Sequence, residues 1–337
     1  MSHPQTFQSD ASDQSENELE NQVSSVQVDN KEDNKVADDA ENDDLLADFG
    51  EEEEDIELTH LRITDIPSLF LDRFVNLKKL CLRQNLITKI EGLENLKSLK
   101  EIDFYDNRIS YIENLDNQIN LESLDLSFNK IKVIENVNHL IKLTNLYFVQ
   151  NKIKTIQNLE NLVNLTNLEL GANNIRKIEN LSSFVKLEQL WLGKNKIKEF
   201  ENLDNLKNLK ILSIQSNRLT KLNGLEGLIN LEELYVSHNG IKKIEGLENN
   251  VKKLRVLDIG NNFITKIENI SHLSNLEEFW ANNNQLNDFQ ELESQLAHIQ
   301  ELRTVYLEGN PLQKNNEVTY RLKVKTILPQ VIQIDAT

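Results

Sequence analysis

Aromatic and acidic side chains recur at one position of a regular pattern in this chain. The position lies four residues before each of eleven asparagines between Asn85 and Asn310. Five of these eleven residues are aromatic, in a chain with 6% aromatics, and four are acidic. Exposed clusters of Tyr and Trp are typical of protein-binding surfaces. The set, which we call the central column, is Cys81, Asp103, Asp125, Tyr147, Glu169, Trp191, Ser213, Tyr235, Asp258, Trp280 and Tyr306.

Residues beside the central column agree with this interpretation. Glutamates at 101, 233 and 278 add negative charge, and glycines at 171, 193 and 260 would let a partner approach the backbone. Strands stack about 4.8 Å apart, so the eight steps from Asp125 to Tyr306 span roughly 38 Å. That length matches a globular domain rather than a small metabolite. The column predicts a protein partner that presents basic and apolar groups.

Catalysis is not expected from these residues. The six histidines are scattered along the chain, and no G-x-S-x-G, H-E-x-x-H, P-loop or C-x-x-C motif occurs. His238, near Tyr235 and Asp258, is the one conceivable acid–base site, and it has no partnered nucleophile. We expect no enzyme activity, no cofactor and no metal. Nucleic acid is not expected either, because phosphate binding requires clustered Lys and Arg and the column is acidic.

The asparagines belong to a repeating frame, L-x-x-L-x-L-x-x-N-x-I-x-x-I. Seven successive asparagine spacings are 22 residues, and the last three are 23, 22 and 26. This period and pattern are those of leucine-rich repeats, which stack into a solenoid. The frame asparagines are Asn85, Asn107, Asn129, Asn151, Asn173, Asn195, Asn217, Asn239, Asn262, Asn284 and Asn310.

Each turn predicts two kinds of backbone. Leu124 and Leu126 alternate with polar residues, as in a strand. Ile90, Leu93 and Leu96 recur every third residue, which favours short 3-10 segments. We expect an α/β fold in which a curved solenoid carries a parallel β-sheet on its concave face and 3-10 segments on its convex face. The frame asparagines should form a ladder, since an unpaired buried amide costs about 1–3 kcal/mol.

The two ends depart from the frame. Met1–Glu57 holds 20 acidic residues and 2 lysines, a net charge of 2 − 20 = −18, which equals the net charge of the whole chain. Residues 1–56 are therefore predicted to be a disordered acidic tail. The solenoid, about 11–12 repeats, is assigned to residues 57–310. Residues 311–337 are predicted to form a helical C-terminal cap, because apolar residues from Tyr320 to Leu328 follow a helical period.

The expected setting is a reducing one. Cys81 is the single cysteine, so no internal disulfide can form. No apolar run approaches the roughly 18–20 residues that span a bilayer. The N-terminal residues also lack the charged and apolar regions of a signal peptide. These features predict a cytosolic or nuclear protein that does not insert into membranes.

Several segments resemble a known family. They are LCLRQNLI at Leu80–Ile87, YVSHNGI at Tyr235–Ile241, ISHLSNLEEFWANNN at Ile270–Asn284, and the ending VYLEGNPLQ with LPQVIQIDAT. Together with the 22-residue turns, they resemble the leucine-rich regulatory subunit of protein phosphatase 1. The resemblance covers about residues 58–337.

The resemblance implies a non-catalytic subunit that binds the protein phosphatase 1 catalytic subunit through its concave face. It further implies control of the enzyme's activity, maturation or nuclear location, a role in mitosis, and a location in nucleus and cytoplasm. A small phosphatase inhibitor subunit would join as a third component. The implied contact residues are Asp125, Tyr147, Glu169, Trp191, Asp258, Glu278, Trp280 and Tyr306. Phenylalanine is common in relatives at two of these positions, Tyr147 and Trp191.

A second hypothesis remains open. Other intracellular leucine-rich adaptors, such as the spliceosomal type that holds an RNA-binding protein, share this style of cap but usually have fewer repeats. The identity of a co-purified partner distinguishes the two hypotheses.

Overall fold

The computed structural model describes residues 45–247 and 253–336, which form a solenoid built on one parallel sheet. Within these residues, thirteen short strands pair in chain order. The strands are β1 Asp55–Glu57, β2 Lys79–Cys81, β3 Glu101–Asp103, β4 Ser123–Asp125, β5 Asn145–Tyr147, β6 Asn167–Glu169, β7 Gln189–Trp191, β8 Ile211–Ser213, β9 Glu233–Tyr235, β10 Val256–Asp258, β11 Glu278–Trp280, β12 Thr304–Tyr306 and β13 Gln333–Ile334. The predicted solenoid and its parallel sheet are confirmed. The expected curvature stays a prediction.

The core is a continuous stack of the apolar frame positions. In one turn, Leu124, Leu126, Ile131 and Ile134 are all fully buried. Full burial of one such side chain contributes about 1.5–3 kcal/mol. Because every turn repeats these positions, each turn buries its apolar face against the turns on either side.

The frame asparagines form the predicted ladder. The Asn173 side chain is 6% exposed. Its Nδ2 donates to the Phe148 carbonyl oxygen at 2.8 Å and to the Leu170 carbonyl oxygen at 3.1 Å. Its Oδ1 accepts from the Ile153 amide at 3.0 Å. One side chain thus satisfies backbone groups in its own turn and in the turn before it.

A second ladder, which the sequence frame did not predict, lies seven residues after the frame asparagines. These residues have a positive φ, as in Asn114 (57°) and Asn136 (53°). The Asn114 Nδ2 donates to the Ile90 carbonyl oxygen, and the Asn136 Nδ2 to the Ile112 carbonyl oxygen, both at 2.7 Å. Gly246 takes this position in a later turn, with φ of 75°. Asn and Gly tolerate this left-handed conformation best.

The turn segments between strands follow the predicted three-residue spacing. Two 3-10 helices occur near the start, η1 Pro67–Leu69 and η2 Leu71–Arg73. In the regular turns the i→i+3 hydrogen bonds occur singly, as from the Leu96 amide to the Leu93 carbonyl oxygen at 3.0 Å. The apolar period therefore sets the hydrogen-bond spacing, while within residues 45–247 and 253–336 continuous 3-10 helix occurs only in the first turns.

The predicted start of the solenoid is wrong by about a dozen residues. Residues 45–56 were assigned to a disordered tail, yet β1 pairs with β2, and both Leu46 and Ile56 are fully buried. Their burial covers the apolar edge of the first regular turn, which outweighs the acidic character of the segment. The prediction of disorder for residues 1–44 lies outside the described residues.

The C-terminal end contains the expected helical cap and one additional helix. Helix α1, Phe289–Leu296, accounts for the 26-residue asparagine spacing and was not predicted. Helices α2, Pro311–Lys314, and α3, Tyr320–Ile327, follow the last frame asparagine. Strand β13 then closes the sheet against β12. None of the helices in the described ranges is long and apolar enough to cross a bilayer.

Candidate functional site

The central column lies on one side of the sheet, which we call the open face. Its members pair directly from strand to strand: Asp125 with Tyr147, Tyr147 with Glu169, and Glu169 with Trp191. Side chains alternate between the two faces of a strand, so residues flanking a buried leucine point outward. The repeat therefore places chemically related side chains beside one another along the stack.

Three aromatic residues form a cluster towards the C-terminal end of the open face. The Trp280 ring lies 6.0 Å from the Tyr235 ring and 5.5 Å from the Tyr306 ring, in edge-on geometry. The Trp280 Nε1 donates to Glu278 at 3.0 Å, and the Tyr235 hydroxyl donates to Glu233 at 2.8 Å. The cluster is half-buried, so it offers rigid apolar area with its polar atoms already oriented.

Asp258 lies in the central column between Tyr235 and Trp280 of this cluster. It is only 4% exposed. Its Oδ2 accepts from the Ser237 hydroxyl at 2.6 Å and the Gln215 side chain at 2.9 Å. Its Oδ1 accepts from the Gly260 amide at 3.0 Å. Both carboxylate oxygens are thus engaged within the chain, and the role of Asp258 as a partner contact stays a prediction.

The 23-residue spacing between Asn239 and Asn262 does not change the pairing of central-column residues on neighbouring strands. Asp258 pairs with Tyr235 on one side and Trp280 on the other, as it would with a 22-residue turn. The extra residue falls between Leu247 and Leu254, before the strand begins. The extra residue therefore does not shift Asp258 relative to its neighbours, because strand pairing fixes the register.

Acidic residues dominate the other half of the column. Burial raises the pKa of the Asp125 carboxyl above its ordinary value, and the nearby Asp103 charge acts in the same direction. Burial also raises the pKa of Glu169, with Asp125 contributing. The Tyr147 hydroxyl lies between the two and its pKa is likewise raised by burial. Clustered carboxylates of this kind attract a basic group.

Tyr147 and Trp191 occupy the middle of the face. Tyr147 borders an open depression of about 360 Å³ that Asp103 and Asp125 also line. Trp191 borders a second depression of about 340 Å³, whose wall includes Glu169. Both aromatic side chains are partly exposed. The middle of the face therefore combines apolar area with negative charge.

A second aromatic group lies outside the central column and was not predicted from the sequence. The Arg83 guanidinium lies 4.2 Å from the centre of the Tyr105 ring, and Tyr105 lies 4.8 Å from Phe128. Arg83 also pairs with Asp103 at 2.9 Å. Arg83 and Tyr105 come two positions before frame asparagines, and Phe128 comes one position before. Comparing those columns for aromatic content would have found them.

All eight predicted contact residues lie on this open face. Glu278, Trp280 and Tyr306 lie at one end, and Asp125 and Tyr147 lie towards the other. The described residues contain no group of three or more His, Cys, Asp or Glu side chains arranged to hold a metal ion. The predicted contact residues are therefore spread along an extended surface.

This fold and face define a leucine-rich repeat protein. A family model described as "Leucine Rich repeats (2 copies)" matches residues 75–117, 163–205, 185–227, 207–249, 229–272 and 252–294. A single-copy "Leucine Rich Repeat" model matches residues 120–140. These matches cover more than half of the chain, and the chain belongs to the leucine-rich repeat family.

Two relatives show a more specific similarity than membership of the leucine-rich repeat family. The chain is 58% identical over 43 residues to protein phosphatase 1 regulatory subunit SDS22 of Schizosaccharomyces pombe, covering 13% of each protein. It is 49% identical over 63 residues to the protein of the same name from Saccharomyces cerevisiae, covering 18% of this chain and 19% of the relative. The resemblance to these regulatory subunits is confirmed, and the aligned stretches span less than a fifth of either relative.

Solved structures share the architecture over most of the chain. An internalin of Listeria monocytogenes has a TM-score of 0.66 and 25% identity, covering 84% of this chain and 87% of the internalin. A leucine-rich repeat protein of Leptospira interrogans has a TM-score of 0.65 and 25% identity, covering 83% of each chain. These similarities support the solenoid fold.

Proposed function

We propose that this protein is a regulatory subunit of protein phosphatase 1 that binds the catalytic subunit through its open face. The observation that carries the proposal is the aromatic cluster of Tyr235, Trp280 and Tyr306, set in a face with clustered carboxylates. Partly exposed Trp and Tyr side chains are the residues most often dominant in binding energy. Similarity to two proteins named as phosphatase regulatory subunits supports the phosphatase as the partner.

The two halves of the face would have different roles. The aromatic cluster loses little side-chain freedom on binding, because its rings and polar atoms are already held in place. The carboxylates near Asp125 and Glu169 would attract basic groups and set the orientation of the partner. Electrostatic complementarity of this kind contributes mainly to association rate and specificity.

The proposed subunit contributes no catalytic group. It would control the activity, maturation or nuclear location of the phosphatase by covering part of its surface, including during mitosis. A small inhibitor subunit would bind in the same assembly. We propose locations in the nucleus and cytoplasm, where such an assembly would operate.

The test is an affinity capture with wild type and with a Trp191→Ala/Trp280→Ala variant. Mass spectrometry would identify the eluted proteins, and circular dichroism would compare the folds. A matched control carries Val185→Ala/Ile229→Ala, at side chains 51% and 50% exposed in the segments between strands. Wild type and control should retain the phosphatase catalytic subunit, and the double tryptophan variant should lose it while remaining folded.

Two results would overturn the proposal. If the phosphatase elutes equally with the folded tryptophan variant, the open face is not the interface. If wild type retains an RNA-binding protein and no phosphatase, the adaptor hypothesis replaces this one.

The single variant Trp280→Ala gives a quantitative measure. Truncating a central aromatic should cost about 2 kcal/mol of binding, which is roughly a thirtyfold increase in Kd. Calorimetric titration with the purified catalytic subunit would measure it. The change should leave the far-ultraviolet dichroism unaltered, since the indole is partly exposed on the open face.

A further inference from the structure

A stripe of basic side chains runs along the edge of the solenoid where the strands end. It consists of the residues one, three and four positions after the nine frame asparagines from Asn85 to Asn262. Those 27 positions (9 × 3) hold fifteen Lys or Arg residues and one acidic residue, Glu199. We call this the basic stripe. The stripe is thus strongly basic, although residues 58–337 as a whole have no net charge.

The stripe is continuous because equivalent positions of successive turns are stacked. The Lys130 amide donates to the Ile109 carbonyl oxygen at 2.8 Å, and the Lys152 amide donates to Ile131 at 2.8 Å. Each turn therefore places its cations directly beside those of the next. With strands about 4.8 Å apart, most turns contribute two cations per step along the axis.

The stripe is largely without ion pairs. Among the residues described, one ion pair reaches it, between the Lys177 Nζ and Glu201 at 3.7 Å. Cations before the strands are paired more closely, as Lys210 is with Glu188 at 2.8 Å. A row of like charges with few direct ion pairs produces a positive potential along the edge, which a bound anionic chain would neutralise.

An apolar depression interrupts the row of cations. Tyr111 is 68% exposed and Val133 is 44% exposed. They line a depression of about 430 Å³, whose other lining residues are Ser110, Lys130, Lys132, Glu135 and Lys152. Three lysines and one glutamate leave the rim with a net positive charge, so the depression suits an apolar side chain within an acidic segment.

We propose that the basic stripe binds an extended acidic peptide segment of a partner protein, with one apolar side chain in the Tyr111–Val133 depression. This surface lies outside the open face, and the proposal does not depend on the phosphatase. Carboxylates border the stripe on its far side, including Glu113, Glu135 and Glu179, six residues after frame asparagines. These carboxylates would repel a broad polyanion such as a nucleic-acid duplex or an anionic membrane. A single extended peptide chain is narrow enough to lie along the stripe beside them.

The test is direct binding of a labelled peptide to the full chain. The peptide has about 12 residues, about 40 Å when extended, with glutamate at alternate positions, serine between them and one central leucine. The variant Lys132→Glu/Lys154→Glu/Arg176→Glu reverses three adjacent stripe charges. The control Lys142→Glu/Lys186→Glu/Lys207→Glu makes the same change of net charge at exposed residues before the strands. The acidic segment Met1–Glu57 is present in every protein compared.

Fluorescence anisotropy at physiological salt should show peptide binding to wild type. The stripe variant should bind at least about tenfold more weakly, and the control within about twofold of wild type. Tyr111→Ser should weaken the leucine peptide but not a peptide with serine in place of leucine.

Three results would overturn the proposal. They are no measurable peptide binding to wild type, equal losses in the stripe variant and the control, or tighter binding of a single-stranded oligothymidylate of equal charge than of the peptide. The last result would assign the stripe to phosphate polymers.

Discussion

Replacing Asn173 with alanine tests the physical basis of the solenoid. The side chain joins two turns: its Nδ2 donates to carbonyl oxygens of Phe148 and Leu170, and its Oδ1 accepts from the Ile153 amide. Alanine removes all of these bonds. The site is buried, so water cannot readily take over the bonding.

The loss of unfolding free energy in Asn173→Ala follows from the backbone groups that lose a hydrogen-bond partner. The Ile153 amide loses the side-chain acceptor found for it here, and the Phe148 and Leu170 carbonyl oxygens lose a donor. Each buried backbone group without a partner costs about 1–3 kcal/mol, and carbonyl groups tolerate it better than amides. Allowing for partial relaxation, we expect a loss of about 3 kcal/mol in the free energy of unfolding.

Urea denaturation followed by far-ultraviolet dichroism would measure this loss. Asn174→Ala is the matched control, because the neighbouring side chain is partly exposed and has no side-chain hydrogen bond among the described contacts. The control should change the unfolding free energy by less than about 0.5 kcal/mol. A loss below about 1 kcal/mol for Asn173→Ala, or one equal to the control, would refute the ladder as a major source of stability.

Two further predictions concern titration and the cap. The raised pKa values of Asp125 and Glu169 mean that the folded state binds protons more readily than the unfolded state. This stabilisation is present below the unfolded pKa values and is lost as pH rises through the folded ones. Asp125→Asn/Glu169→Gln should therefore raise the urea midpoint at neutral pH, and the gain should shrink in acid; a pH-independent gain would contradict this. Tyr320→Phe removes a buried 2.9 Å hydrogen bond to Asp335 and should cost about 2 kcal/mol by urea denaturation, whereas Tyr111→Phe, at an exposed tyrosine, should cost almost nothing.

Charge is distributed unevenly over the solenoid. The open face carries carboxylates such as Asp125 and Glu169, and the adjoining edge carries the basic stripe. Both patterns arise because residues of like charge at equivalent positions of successive turns are stacked side by side. A stacked repeat thereby converts a weak preference in sequence into a long surface of one character.

The sequence alone determined the architecture of the regular turns. A repeat of 22 residues predicts that each turn stacks on the turn before it. Leu124 and its equivalents therefore form the core, and Asn129 and its equivalents form the ladder. The central column followed from strand alternation, since residues on either side of a buried leucine must face outward. The apolar spacing that begins at Tyr320 also predicted the C-terminal helix.

Tertiary structure decided the features in which the frame is broken or in which side chains meet across turns. Leu46 and Ile56 belong to the solenoid because they cover an exposed apolar edge, which local composition does not reveal. Asp258 has the same column position as Asp125, yet Ser237 and Gln215 enclose its carboxylate, so burial depends on neighbours a turn or more away. Sequence period fixes where a side chain points, whereas contacts between turns decide whether it remains available to a partner.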